Sequence, residues 1–91
     1  MKKLTKAEEE IMKGIWDFGP CTVTQLMDKM GLQNAPHSTI SSIVRILEKK
    51  GFVDHKAYGR THEYFSIIEK KQYSRFSLSN LISDYFEGSA N

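Results

Sequence analysis

The sequence predicts a mainly α fold carrying one small β-hairpin: three short amphipathic helices, a two-stranded ribbon and a closing helix. Three observations carry that prediction. Two capping-box spacings open the first two helices, the hydrophobic period drops from about 3.6 to about 2 after Gly51, and helical spacing returns from Glu69. Ninety-one residues are enough for one small domain with a modest core.

Thr5-Lys6-Ala7-Glu8 has the capping-box spacing, in which the Thr5 hydroxyl accepts from the Glu8 amide while the Glu8 carboxylate reaches back. Ala7, Ile11, Met12, Ile15 and Trp16 then form one helical stripe, with Lys6, Glu9, Glu10 and Lys13 outside, until Gly19-Pro20 ends the run. Thr22-Val23-Thr24-Gln25 repeats the signature for a second helix that uses Val23, Leu26, Met27 and Met30 and stops at Gly31. Gln33-Asn34-Ala35 reads as a turn. Pro36 suits the first position of a third helix, where its missing amide hydrogen costs nothing.

That third helix is the most informative stretch. Ile40, Ile43, Val44 and Leu47 give it a continuous apolar face, and Gly51 is placed to close it. The opposite face presents His37, Ser38, Ser41, Ser42, Arg45 and Lys49, short hydroxyls interleaved with cations. A helix shaped only for solubility more often carries Glu/Lys pairs, because Ser is a weaker helix former. Short polar groups let the helix axis come close to another surface.

After Gly51, the runs on either side of Ala57-Tyr58-Gly59-Arg60 read as a hairpin, with Gly59 supplying a positive φ at the tip and Lys56 and Arg60 flanking it. With Tyr58 and Gly59 central, His55 faces His62 and Asp54 faces Glu63; the second pair is a like-charge contact. From Glu69 a fourth helix runs to about Gly88, before a short tail. Leu78, Leu81, Ile82, Tyr85 and Phe86 give it more apolar surface than three short helices cover, which favours a second chain. The expected organisation is a domain over residues 1–68 and a C-terminal helix over 69–91 that begins a dimerisation region.

Composition narrows the function. The net charge is +2, from 13 Lys and Arg against 11 Asp and Glu, and the excess is concentrated in residues 37–62, which hold five basic and two acidic side chains and all three histidines. No apolar run of about 18 residues and no secretory core is present, so the expectation is a cytoplasmic protein without membrane contact. The single cysteine, Cys21, forms no internal disulfide and, without a resolving partner, reads as inert. His55 and His62 could supply two metal ligands if they lie opposite, but a third is missing, and no metal or cofactor is expected. With no nucleophile-base motif, no phosphate loop and little volume for an enclosed cavity, an enzyme is not expected.

Three helices followed by a hairpin, with the third helix apolar inside and Ser/Arg/Lys outside, describe a winged helix-turn-helix: a three-helix core, a two-stranded wing and a C-terminal helix. Double-stranded DNA fits it, because the major groove, about 12 Å wide, admits one helix. Ser38, Thr39, Ser41, Ser42 and Arg45 would run along the groove, with Arg45 the candidate for a bidentate guanine contact. His37 and Lys49 would meet phosphates at the two ends, Lys56 and Arg60 on the wing would contact the backbone or the adjacent minor groove, and the second helix's N-terminus, with free amides at Thr22 to Thr24, would hold another phosphate. Lys49 and Lys50 with Glu48 also read as a plain solvated helix end. The low net charge makes phosphate contacts alone weak, so a dimer on two half-sites is expected. The alternative is a winged-helix module that binds an acidic protein instead of DNA.

LTKAEEEIMKGIW, STISSIVRILEKKGF and GRTHEYF, in that order, make the chain resemble the penicillinase-repressor family of winged-helix regulators (BlaI/MecI type) from Leu4 to about Glu87. The resemblance implies a cytoplasmic repressor that binds palindromic operators as a homodimer and blocks beta-lactamase or related genes. It further implies a membrane sensor-protease whose cleavage of the repressor destroys dimerisation. Thr39 matches the family's recognition-helix threonine, and Gly59-Arg60 with Tyr64 match its wing. Ser38 and Ser41 stand where well-known members carry Lys and Arg. Family members continue into further helices that make the dimer, so the resemblance implies either a piece of a longer protein or a short relative that dimerises weakly or through the closing helix. The cysteine cluster of copper-responsive relatives has no counterpart.

Overall fold

The capping boxes form as the spacing predicts. In the computed structural model, which describes residues 1–89 with side chains through residue 86, the Glu8 amide donates to Thr5 Oγ1 at 3.2 Å and the Thr5 amide donates to Glu8 Oε1 at 3.0 Å. This opens α1 (Lys6–Phe18). The reciprocal bonds of Thr22 and Gln25, at 2.9 and 3.1 Å, open α2 (Val23–Met30). Ile11, Met12 and Ile15 of α1 are buried with Leu26 and Met27 of α2. Gly14 packs directly against α2 side chains: a Cβ there would lie 2.3 Å from Met30 Sδ.

One position of the predicted α1 stripe is wrong. Ala7 is exposed and Glu8 is buried in its stead, because Glu8 meets a charged partner from another helix. Lys50 Nζ donates to Glu8 Oε1 at 2.6 Å and to the Lys3 carbonyl at 3.1 Å. Burial works to raise the Glu8 pKa, but the Lys50 ammonium and the Thr5 amide outweigh it and hold the carboxyl below its ordinary value.

Pro36 is the N-cap of α3 (His37–Lys49) rather than its first helical residue; its ψ of 131° is extended. Ile40, Val44 and Leu47 face inward. A Schellman motif closes α3: the Phe52 amide donates to the Leu47 carbonyl at 2.9 Å and the Gly51 amide to the Glu48 carbonyl at 3.0 Å. The motif drives Phe52 and then Val53 into the core, where both are fully buried.

Strands β1 (Val53–Tyr58) and β2 (Thr61–Ser66) pair antiparallel with Tyr58 opposite Thr61, so the two-residue tip is Gly59-Arg60 and not Tyr58-Gly59. The physical reason is the sign of φ. Primed hairpin turns require a positive φ at the first central residue, which Gly59, at +63°, adopts freely and Tyr58 would resist. The shift replaces the like-charge pair with Lys56 opposite Glu63, and it sets His55 opposite Tyr64. The ribbon is also tied to the core: Cys21, between α1 and α2, and Tyr64 exchange two backbone hydrogen bonds of 3.0 and 2.8 Å, a one-residue bridge beside the two-stranded sheet.

Helix α4 (Lys70–Ser89) docks apolar side chains by its first turns, and further along the Lys3 ammonium donates to Asp84 Oδ2 at 3.0 Å in an exposed ion pair. The Tyr73 hydroxyl donates to Glu9 Oε2 at 2.6 Å and its ring meets Phe52 edge-on at 5.5 Å, while Trp16 Nε1 donates to the Ile68 carbonyl at 2.8 Å just before the helix. Burial and the hydrogen bond to Glu9 push the Tyr73 pKa up to about 12. Beyond Phe76 the side chains of Leu78, Leu81, Ile82, Tyr85 and Phe86 are exposed. The Cα radius of gyration is accordingly 14.9 Å, where about 12 Å would suit a compact chain of this length. Ala90 and Asn91, the end of the expected tail, lie outside the described residues.

Candidate nucleic-acid interface

Successive helical residues are about 100° apart, which divides the outer side of α3 into strips. His37, Ser41, Arg45 and Glu48, spaced by four, four and three, form the shoulder turned toward the wing. Ser38, Ser42 and Lys49 form the crest opposite the buried Ile40, Val44 and Leu47. Thr39 and Ile46 lie on the flank away from the wing.

The shoulder, the start of α2 and the wing enclose an open groove of about 450 Å³ lined by hydroxyls and cations. Six of the residues singled out in the sequence line it together: Thr22, Thr24, His37, Ser41, Arg45 and Arg60. His37 bridges its walls, with Nε2 at 3.4 Å from Thr24 Oγ1 and Nδ1 at 3.3 Å from Ser41 Oγ. The Thr22 amide is not free for a phosphate, because Gln25 Oε1 accepts from it. The next amides, of Val23 and Thr24, are those that a helix start leaves without an intrahelical partner.

Ser38, Thr39, Ser42 and Lys49 are all exposed outside this groove, on the crest and flank. Lys56 is set apart. Strand alternation puts it with Glu63 and Phe65 on the reverse of the ribbon, beside Trp16 and Pro20, while His62 and Tyr64 face the α3 side. The sequence reading missed Thr61, His62 and Tyr64 as groove residues; strand alternation, which the two-residue shift of register leaves unchanged, already groups His62 with Tyr64 on one face, whereas Thr61 reaches the groove from the start of β2 beside the tip.

Glu48 is the one acid on the shoulder, and it is engaged: its Oε2 lies 2.7 Å from His55 Nδ1, tying the end of α3 to β1. With Asp54, whose Oδ1 accepts from the His55 amide at 2.8 Å, these two residues could offer three metal-ligand atoms within 4.8 Å of one another. The carboxylate–imidazole contact accounts for the arrangement without an ion. His55 and His62 do not form the ligand pair considered from sequence. Their rings stack face to face, 4.3 Å apart and 14° from parallel, whereas metal ligation needs ring nitrogens converging in their own planes. Burial raises the Tyr64 and Cys21 pKa values, keeping both groups neutral at the root of the wing.

A convex helix about 10 to 12 Å across, with a polar crest and a cationic groove at its side, matches the dimensions of a DNA major groove and its bordering phosphate strand. Comparison with known proteins agrees. The chain is 26% identical over 91 residues to the methicillin resistance regulatory protein MecI of Staphylococcus aureus (strain N315), Mammaliicoccus sciuri and Staphylococcus epidermidis, over 98% of this chain and 73% of theirs. The solution structure of the DNA binding domain of the repressor BlaI superposes with a TM-score of 0.67 at 28% identity, over 80% of this chain and 94% of that one. Residues 4–91 match the penicillinase repressor family as a whole. A match of that extent, on a shared winged-helix fold, means that the chain belongs to the penicillinase repressor family.

Proposed function

We propose that the chain is a DNA-binding transcriptional repressor that occupies a palindromic operator as a homodimer, in the cytoplasm, and acts by occupancy and not by catalysis. The observation that carries this reading is the juxtaposition of an exposed Ser38/Ser42/Lys49 crest with a groove holding Arg45, Arg60, His37 and the α2 threonines. The crest enters the major groove, and Arg45, at its edge, makes the bidentate guanine contact. Arg60, His37, Ser41, Thr22 and Thr24 hold the adjoining phosphate strand. Lys56, on the reverse of the ribbon, contributes little to either.

Dimerisation is assigned to the segment over residues 69–91, through Leu78, Leu81, Ile82, Tyr85 and Phe86, whose exposure in one chain supports a second copy as their cover. The sensor-protease that the family resemblance implies would act by removing that cover. Selection of bound sites from a random duplex library tests the reading: palindromic sites with half-sites about one helical turn apart, or a multiple of it, are expected. A log-log salt slope near zero on DNA would instead favour an acidic protein as partner. Arg45→Ala should relax base preference, whereas Arg60→Ala should weaken all duplexes alike and flatten the salt slope by about 1.

A further inference from the structure

Ile46 is 41% exposed on α3, the one side chain of that helix's outer side that is both large and apolar. A β-branched residue is a weaker helix former than a straight-chain one, and here its burial is only partial. Thr39 and Ile46 on the flank away from the wing, with Ser42 at the adjoining edge of the crest, are spaced by three and four as neighbours along the helix, and Ser42 is too short to shield Ile46. Ile46 has no donor or acceptor with which to read the hydrogen-bonding code of base edges. The major groove floor offers one apolar feature that distinguishes a base, the C5 methyl of thymine, and cytosine presents an amino donor nearby instead.

Resting on the operator reading above, we propose that Ile46 is a specificity-determining residue that packs against a thymine C5 methyl group in each half-site. Ser42 leaves the space through which that methyl is reached, and Thr39, with a methyl of its own, extends the apolar row. The contact divides labour on one helix: Arg45 selects guanine by hydrogen bonds, and Ile46 selects thymine by shape and desolvation.

The test replaces each thymine of a library-selected operator in turn by uracil, which lacks only the methyl. At one thymine per half-site the change should weaken binding by the unmodified protein about 4-fold, the factor for one buried methyl-sized group. Ile46→Ala, an exposed change to a better helix former, should lose a similar factor on the thymine operator and no longer distinguish thymine from uracil there. Ser38→Ala should keep the distinction. Uracil tolerated at every position, or discrimination retained by Ile46→Ala, would overturn the proposal while leaving operator binding intact. Binding to no duplex at all would overturn the operator reading and this proposal with it.

Discussion

Glu8 closes two devices with one carboxylate: it completes the cap of α1 and receives the Lys50 ammonium from the far end of α3. Removing the cation leaves that carboxylate nearly buried and unpaired. Lys50→Met should therefore cost about 2 kcal/mol in urea unfolding at neutral pH, less than the 3 to 5 of a fully buried pair because Lys50 is partly exposed. Since the folded state lowers the Glu8 pKa, its contribution is present above the ordinary carboxyl value of 4.5 and is lost as pH falls below it. Lys50→Met should flatten that acid limb; an unchanged limb would assign it to other carboxylates. The cap was legible from four consecutive letters. The ion pair was not, because its partners are 42 residues apart and each reads as a surface charge. His37 shows the same limit: it reads as a basic residue at a helix start, and only the fold sets it between Thr24 and Ser41.

The wing's existence follows from period and composition, but its register depends on a backbone rule applied at one residue. Gly59 holds φ +63° at the tip, so Gly59→Val should cost about 1 to 2 kcal/mol of local strain. It should weaken DNA binding through a displaced Arg60 while far-ultraviolet helix content stays constant. Equal affinity in that variant would remove Arg60 from the interface. Helix α4 depends on Tyr73 in a comparable way. Its folded pKa is raised from 10 to about 12, so the stabilisation is whole below pH 10 and fades as pH rises between those values. Tyr73→Phe should remove that alkaline loss, as read by thermal melts across the range. The docking of α4 was only half visible beforehand: helical spacing announced the helix, and nothing in the spacing said that its first turns alone would touch the core.

For the whole molecule, the decisive feature is a closing helix whose far part leaves its apolar side chains uncovered. Leu81 and Tyr85 are 67% and 70% exposed, so glutamates there should leave the winged-helix core intact while shifting dimer to monomer in sedimentation. Affinity for a full palindrome should then fall by about 100-fold, with half-site affinity unchanged, since linked binding sites lose their mutual effective concentration. Dimers persisting in that double variant would place the contact elsewhere. The amino-acid order alone determined the helices, the ribbon and the apolar and polar sides of α3, because capping, periodicity and turn chemistry act over a few residues. Tertiary structure decided the buried ion pair, the assignment of Lys56 to the reverse of the wing, and the split of one hydroxyl-rich face into crest, cradle and apolar flank. Those depend on how elements distant in sequence are oriented against one another, which packing sets and local pattern does not.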